Sequence, residues 1–291
     1  MYNNDECPYV EQINRVQDYI EMNLDKTLTT KKLSQIANFS EYHFQRVFAY
    51  VTGESLYAFI KRIRLDKAAY MLLADKKRPI IEIAMSVGFA NQASFAKAFK
   101  LRYGMTGTAY RKTNGMVCET HAALEYLHRV DMSIEPLYID IRKERAIRII
   151  YTRYIGPYKG DSQLFSHLFN KLYQWADQRK LISIDSRWFV VYHDYGNETD
   201  EEHLRLSVCM TVDKNVAVSG DVGISALSEG LYGVGCFMVG PSEYNKAWYY
   251  MYTNWLPNSG YRLDDRCSLE HYPHKKVQGN KRFVEIYIPI V

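Results

Sequence analysis

The sequence predicts a multidomain chain of two unlike parts. The first is an all-α double helix-turn-helix domain over residues 1–112. After a linker at 113–130 comes an α+β domain with a pseudo-two-fold duplication over 131–291. Three observations carry this reading. A helix-turn-helix pattern occurs twice, 50–51 residues apart, and the excess positive charge lies in the part that holds it. A pattern of strand, Gly-Pro turn, helix and strand then recurs 80–84 residues apart.

The clearer helical unit is Pro79–Tyr103. Pro79 suits the first turn of a helix, where its missing N–H costs nothing. Ile80, Ile83, Ala84 and Val87 recur at three- and four-residue spacing and mark a buried face. Gly88 tolerates positive φ and ends that helix sharply. Asn91 then caps a second helix with Phe95, Phe99 and Tyr103 on its inner side. Gln92, Ala93, Ala96, Lys97 and Lys100 fall on the other side, the usual reader of a major groove. An earlier unit repeats the pattern. Leu33, Ile36 and Ala37 precede Ile83, Ser86 and Val87 by 50, and Asn38 stands in the place of Gly88. Phe44, Arg46 and Phe48 precede Phe95, Lys97 and Phe99 by 51.

In order along the chain, residues 8–24 read as a helix with Ile13, Val16, Ile20 and Leu24 inward. Thr29 or Thr30 caps the next helix and Ser40 the one after. In that third helix Phe44, Val47 and Phe48 face inward, which leaves Tyr42, Gln45 and Arg46 on the opposite side. Arg can fork onto guanine and Gln onto adenine, and Tyr can meet a thymine methyl or a phosphate. A plain solvated helix face is the other reading of the same three residues. In the second reader Gln92 and Lys97 can bond to bases or phosphates, whereas Ala93 and Ala96 can only touch thymine methyls or permit close approach. Between the units, ESLYAFIKRIRLDKAAYMLLAD has no breaker. A helix of about 20 residues spans roughly 30 Å, near the ~34 Å between successive major-groove faces. Lys61, Arg62 and Arg64 on it are candidate phosphate contacts.

Composition bounds the function. Lys and Arg exceed Asp and Glu by 17 to 11 in residues 1–112, while the remainder holds 20 against 22. Phosphate binding requires the excess where it is found. No apolar run approaches the ~18 residues of a membrane span. The N-terminus lacks the basic and apolar regions of a secretory signal. Five cysteines at 7, 118, 209, 236 and 267 form no CxxC pair, so a reducing cytoplasm is expected and a disulfide framework or zinc site is not. Glu119, His121, Glu125 and His128 in the linker lack metal-ligand spacing, and no cofactor is expected.

All four Trp and 16 of the 25 Tyr lie after residue 112. There Gly156-Pro157 matches Gly240-Pro241 at offset 84. Trp175 and Trp255, Asp185 and Asp265, and Tyr192 and Tyr272 match at offset 80. Helices are expected over 161–180 and 242–256, with closing strands LRLSVCMTV and RFVEIYIPI. Two such halves predict a pseudo-two-fold domain whose central crevice is the natural ligand site. The copies differ at one informative position: Val190 becomes Glu270. A carboxylate where its counterpart faces the core needs a partner. Tyr158, Trp175, Trp188, Tyr192, Trp248, Tyr249, Tyr252 and Trp255 are candidate crevice aromatics. A buried acid among rings suits a cationic or amphipathic organic ligand. The alternative is a Glu270 paired with a local Lys or Arg amid ordinary core aromatics.

The doubled motif, the GFANQASFAKAFKLRYGMT run and the TAYRK after it resemble the AraC-type transcription regulators, over about residues 8–112. Gly107 departs from the Pro usual in that family. The resemblance implies promoter DNA as partner, contact through Tyr42, Gln45, Arg46, Gln92, Ala93, Ala96 and Lys97, and activation through RNA polymerase. GPYKG, the paired YxxGP copies, SLEHY and VEIYIPI resemble the GyrI-like effector-binding domain over about 131–291. That resemblance implies a Glu at 270 facing the crevice and meeting drug-like cations; of the candidate aromatics, Tyr158, Trp175, Tyr192, Trp248 and Tyr252 are expected to surround it. Some members of that family hydrolyse reactive compounds through Glu and Tyr, which makes a DNA-tethered hydrolase the alternative function. A protein-interaction module without a small ligand is the third.

Overall fold

The computed structural model describes residues 8–112, 133–194, 199–213, 216–273 and 279–291. The expected linker, with its Glu and His residues, lies outside the described residues. No helix among the described residues is long and apolar enough to cross a membrane.

The helical part runs α1 (Val10–Met22), α2 (Thr30–Ala37), α3 (Glu41–Thr52), α4 (Leu56–Ala74), α5 (Ile80–Ser86), α6 (Gln92–Tyr103) and α7 (Gly107–Lys112). Each expected cap is chemical as well as positional. Thr29 Oγ1 accepts from the Lys32 N–H at 3.2 Å, Ser40 Oγ from His43 at 3.4 Å and Asn91 Oδ1 from Ser94 at 2.8 Å, each satisfying a donor the helix leaves open. Asn38 and Gly88 take the turn positions at φ 61° and 87°. Pro79 differs from expectation. At ψ 137° it is the extended residue before α5, not part of its first turn.

Helix α4 is the spine of this part. Phe59 and Ile63 join the core of the first unit with Ile13, Phe44 and Phe48. Leu65, Ala69 and Leu72 join the core of the second with Ile83, Phe95 and Phe99. A helix buried on nearly all sides shows no amphipathic stripe, and its 19 residues span roughly 28 Å. Gly107 does not loosen the end of the domain. It is buried at the start of α7, Tyr110 packs its ring on Phe99 and Tyr103, and Arg111 donates to the Arg78 carbonyl at 2.6 Å.

The second part is one eight-stranded antiparallel sheet with helices on one face. Its elements are β1 (Tyr138–Glu144), β2 (Ile147–Ile155), α8 (Ser162–Gln178), β3 (Trp188–Tyr192), β4 (Arg205–Thr211), β5 (Val222–Leu227), β6 (Gly230–Val239), α9 (Tyr244–Tyr250), β7 (Leu269–His271) and β8 (Arg282–Ile290). Past α9 the chain continues as a π-turn over Met251–Trp255. The strand order is β1-β6-β8-β7-β3-β4-β2-β5. The edge strands β1 and β5 each close the half built around β6 and β2 respectively. In the middle β7 and β3 pair with Val190 opposite Glu270. These are the residues the 80-residue repeat equates, so the pseudo-dyad passes through that pair.

Gly88 tests the turn of the second unit. A Cβ there would stand 2.1 Å from the Leu24 carbonyl oxygen, whereas a Cβ on Gly104, at φ 70°, would meet nothing. Gly104→Ala should cost about 1 kcal/mol from backbone strain alone. Gly88→Ala should cost roughly 2 kcal/mol more through the clash, measured by denaturant unfolding.

Candidate effector site and nucleic-acid interface

On α3, Tyr42, Gln45 and Arg46 are all exposed, and the Arg46 guanidinium carbon lies 5.8 Å from the Tyr42 ring centroid. On α6, Gln92, Ala93, Ala96 and Lys97 are exposed as well, because Phe95, Ala98 and Phe99 take the inner positions. Both faces are open with the second domain in place.

Two of the three candidate phosphate contacts on α4 are placed otherwise. Arg62 is 7% exposed, since it shares a face with Phe59, Ile63 and Asp66. Its guanidinium bonds to Glu54 at 2.6 Å and to Asp194 of the second domain at 2.9 Å. Arg64 donates to the carbonyls of Leu24 at 3.1 Å and Lys26 at 2.9 Å, fastening the chain that leaves α1. Lys61 is half-buried.

The contact of Arg62 with Asp194 belongs to a buried ionic seam between the domains. Arg205 bonds to Asp194 at 3.0 Å and pairs with Glu21, and Arg153 bonds to Asp18 at 2.7 Å. Asp66 accepts from Arg102 at 2.7 Å and from Thr199 at 3.2 Å. Burial opposes ionisation of Asp194, yet Arg205 and Arg62 hold its carboxyl below the usual range.

On the helix-covered face, Glu270 is 2% exposed. Its Oε1 accepts from Trp248 Nε1 at 2.6 Å, and its Oε2 accepts from the hydroxyls of Tyr192 at 3.0 Å and Tyr272 at 2.5 Å. The two tyrosines are repeat equivalents, so the duplication aims both at the dyad. All three donors are neutral, and among the described residues no Lys or Arg forms an ion pair with this acid. Burial raises its pKa, partly offset by the hydrogen bonds from Tyr272, Trp248 and Tyr192. The alternative reading, a Glu270 paired with a local Lys or Arg, is therefore not met among the described residues.

The other expected aromatics divide. Tyr158 packs 5.7 Å from Tyr192, Tyr192 meets Trp248 edge-on at 5.8 Å, and Trp248 stacks on Tyr252 at 6.0 Å, so four rings run in one row past the carboxylate. Tyr252 shares a 2.8 Å hydrogen bond with Ser268. Trp175 stands apart from that row. It lies towards the end of α8 with the Arg179 guanidinium 3.9 Å from its ring. Trp188 packs under α8 with Tyr173 and Phe169, and Trp255 lies over Gly233 of β6. Tyr272 was absent from the expected surround. The signal for it was present: it is two residues after Glu270, on the same strand face, and it matches Tyr192 in the repeat. Tyr244, its pKa pushed up to about 12 by burial and by Glu270, was also not anticipated.

Residues 138–291 match the family described as the GyrI-like small molecule binding domain. The chain belongs to that family. Ahead of its GyrI-like domain, residues 33–113 match a helix-turn-helix domain model. Among curated relatives, the probable transcriptional regulator LumQ of Photobacterium leiognathi is 35% identical over 104 residues, which are 35% of this chain and 42% of LumQ. The multiple antibiotic resistance protein MarA of Escherichia coli is 32% identical over 102 residues, 35% of this chain and 80% of MarA. Of solved structures, the C-terminal domain of AraT, a response regulator from Geobacillus stearothermophilus, is 32% identical, covers 35% of this chain and 84% of that one, and has a TM-score of 0.34. The chain thus spans under half the length of LumQ. It joins an AraC-type helix-turn-helix regulator domain to a GyrI-like small-molecule-binding domain.

The raised pKa of Glu270 has a testable sign. The folded chain holds this proton more tightly than the unfolded one, so stability is lost as pH rises from the ordinary value of 4.5 through the folded value. Glu270→Gln removes that loss. The melting temperature of the variant relative to the parent should therefore climb as pH rises above the ordinary value of 4.5, read by calorimetry at matched ionic strength.

Proposed function

We propose that the protein is a one-component transcription regulator that reads two successive major grooves of promoter DNA and senses a cationic or amphipathic aromatic molecule at Glu270. The observation that carries the sensing half is a buried carboxylate with three neutral donors and a row of aromatic rings beside it. Such an acid is electrostatically unsatisfied, and a positive, flat guest would supply both the missing charge and ring stacking. Three donors take most of the lone-pair sites of the Glu270 carboxylate and close it over, which favours recognition over general-base chemistry, since a base needs a free lone pair facing its reacting water. The guest must displace the Tyr and Trp donors, because the carboxylate is closed over in this conformation.

For the reading half, α4 supports a groove-to-groove span within a single chain, and a modest DNA bend makes up its shortfall. Activation through contact with RNA polymerase is part of the same proposal, on the strength of the AraC-type domain.

The two readers should behave differently. Arg46→Ala should relax preference at one base pair, costing about 1–3 kcal/mol on the preferred sequence and less on its variants. Lys97→Ala should weaken binding evenly across sequences and reduce the salt slope by about one. Anisotropy titrations against a set of base-substituted duplexes at several salt concentrations decide it. Equal profiles for both variants would contradict the assignment.

A further inference from the structure

We infer that the segment Tyr192–Asp194 is a mechanical strap that couples the Glu270 cage to the α4 spine of the DNA-reading domain. The inference rests on Glu270 being the effector group, and it adds the route by which that group acts on the readers.

The two ends of the strap are two residues apart, within about 7 Å along an extended chain. At one end the Tyr192 hydroxyl donates to Glu270 at 3.0 Å. At the other end Asp194, fully buried, accepts from Arg62 at 2.9 Å and from the Arg205 backbone N–H at 2.6 Å. Tyr192, the last residue of β3, meets Glu270 on the helix-covered face. Continued alternation would keep Asp194, two residues on, on that same face, so it is the chain's departure from the strand after Tyr192 that lets Asp194 meet Arg62 and Arg205 on the side where α1 and α4 are docked. The strap is anchored between, where the His193 N–H donates to the Arg205 carbonyl at 3.1 Å.

The receiving end matters because of where Arg62 sits. It lies on α4 among the residues that pack the first reader's core, flanked by Phe59 and Ile63 and just ahead of Leu65, where the residues that pack the second's begin. A buried ion pair loses heavily when one partner is displaced, because the remaining charge stays desolvated. Asp194 therefore cannot shift slightly at no cost: Arg62 follows it or loses its hold. Either response tilts α4 and alters the distance between the two readers. One turn further along, Asp66 accepts from Thr199 of the same domain, a second attachment to α4.

A guest that takes the carboxylate from Tyr192 would thereby bind the two arrangements of α4 unequally, which is the thermodynamic requirement for a ligand to regulate. The coupling is reciprocal, so DNA occupancy would change guest affinity by the same factor, typically about 5- to 150-fold in such systems.

The strap is tested without any effector, on the full chain, by hydrogen exchange of the amides of residues 56–66. Tyr192→Phe removes the bond to Glu270 and leaves the ring. It should raise exchange of those amides severalfold, on the order of 5-fold, by freeing local opening of α4. In an Asp194→Asn background the same substitution should add nothing, because the link is already cut. If Asp194→Asn does not fold, Arg62→Gln, which removes the Arg62–Asp194 ion pair from the other side, serves as the second background with the same expectation. Unchanged exchange in Tyr192→Phe would overturn the strap, as would independent, multiplying effects of the two substitutions. Binding of tetraphenylphosphonium to the parent chain is measured separately, so a failure of Glu270 as a cation site is distinguished from a failure of the strap.

Discussion

A negative charge held out of water by three neutral donors is the constraint on which the second domain is built. Taking a carboxylate from water without a counter-ion is expensive. The chain meets that requirement with Trp248 from α9 and with two tyrosines that the duplication brings to the same point. The dyad explains the economy of the arrangement. Two-fold related strands β3 and β7 place equivalent residues opposite one another at a single position, and there one copy has Val190 and the other Glu270. A pair of acids at the dyad would repel, and a pair of valines would bind no charge. Breaking the symmetry at one residue leaves a single acid flanked by symmetric donors.

The second constraint is the ionic seam between the domains. Its members are charged residues that the core of neither domain accounts for: Asp18 and Glu21 on α1, Arg62 and Asp66 on α4, and Arg153, Asp194 and Arg205 on the sheet. Buried pairs of this kind contribute little net stability, but they penalise every docking in which a charge is left alone. The seam therefore sets one orientation between the parts and leaves the exposed faces of α3 and α6 unobstructed. It also places the second domain against α4, the helix that joins the two helix-turn-helix units.

Much of this was legible in the residues. Caps at Thr29, Ser40 and Asn91, turns at Asn38 and Gly88, and the inward aromatics of both readers follow from local chemistry that needs no tertiary information. The alternating strands 205–211 and 282–290 and the special status of Glu270 followed from comparing the two copies. What was not legible depended on long-range placement. Arg62 and Arg64 lie on a helix without an amphipathic stripe, so periodicity gave no reason to expect one buried and the other tied to backbone carbonyls. Strand β5 was unannounced because its Val222–Leu227 run is short and edge-placed. Trp175 matched the repeat, but the repeat equates it with Trp255, and neither stands at the dyad. Tyr272 satisfies both the parity and the repeat criteria, two residues after Glu270 and equivalent to Tyr192, yet it lies just past the short strand β7, where alternation alone is a weak guide.

The central claim is that Glu270 selects guests by charge as well as by shape. Tetraphenylphosphonium and tetraphenylborate are nearly the same shape with opposite charge, so titrating each against the full chain while following tryptophan fluorescence isolates the charge. The cation is expected to bind saturably and at least about 10-fold more tightly than the anion, a difference of ~1.4 kcal/mol, with the preference lost in Glu270→Gln. Equal affinity for the two ions, or a cation preference that survives Glu270→Gln, would contradict the account.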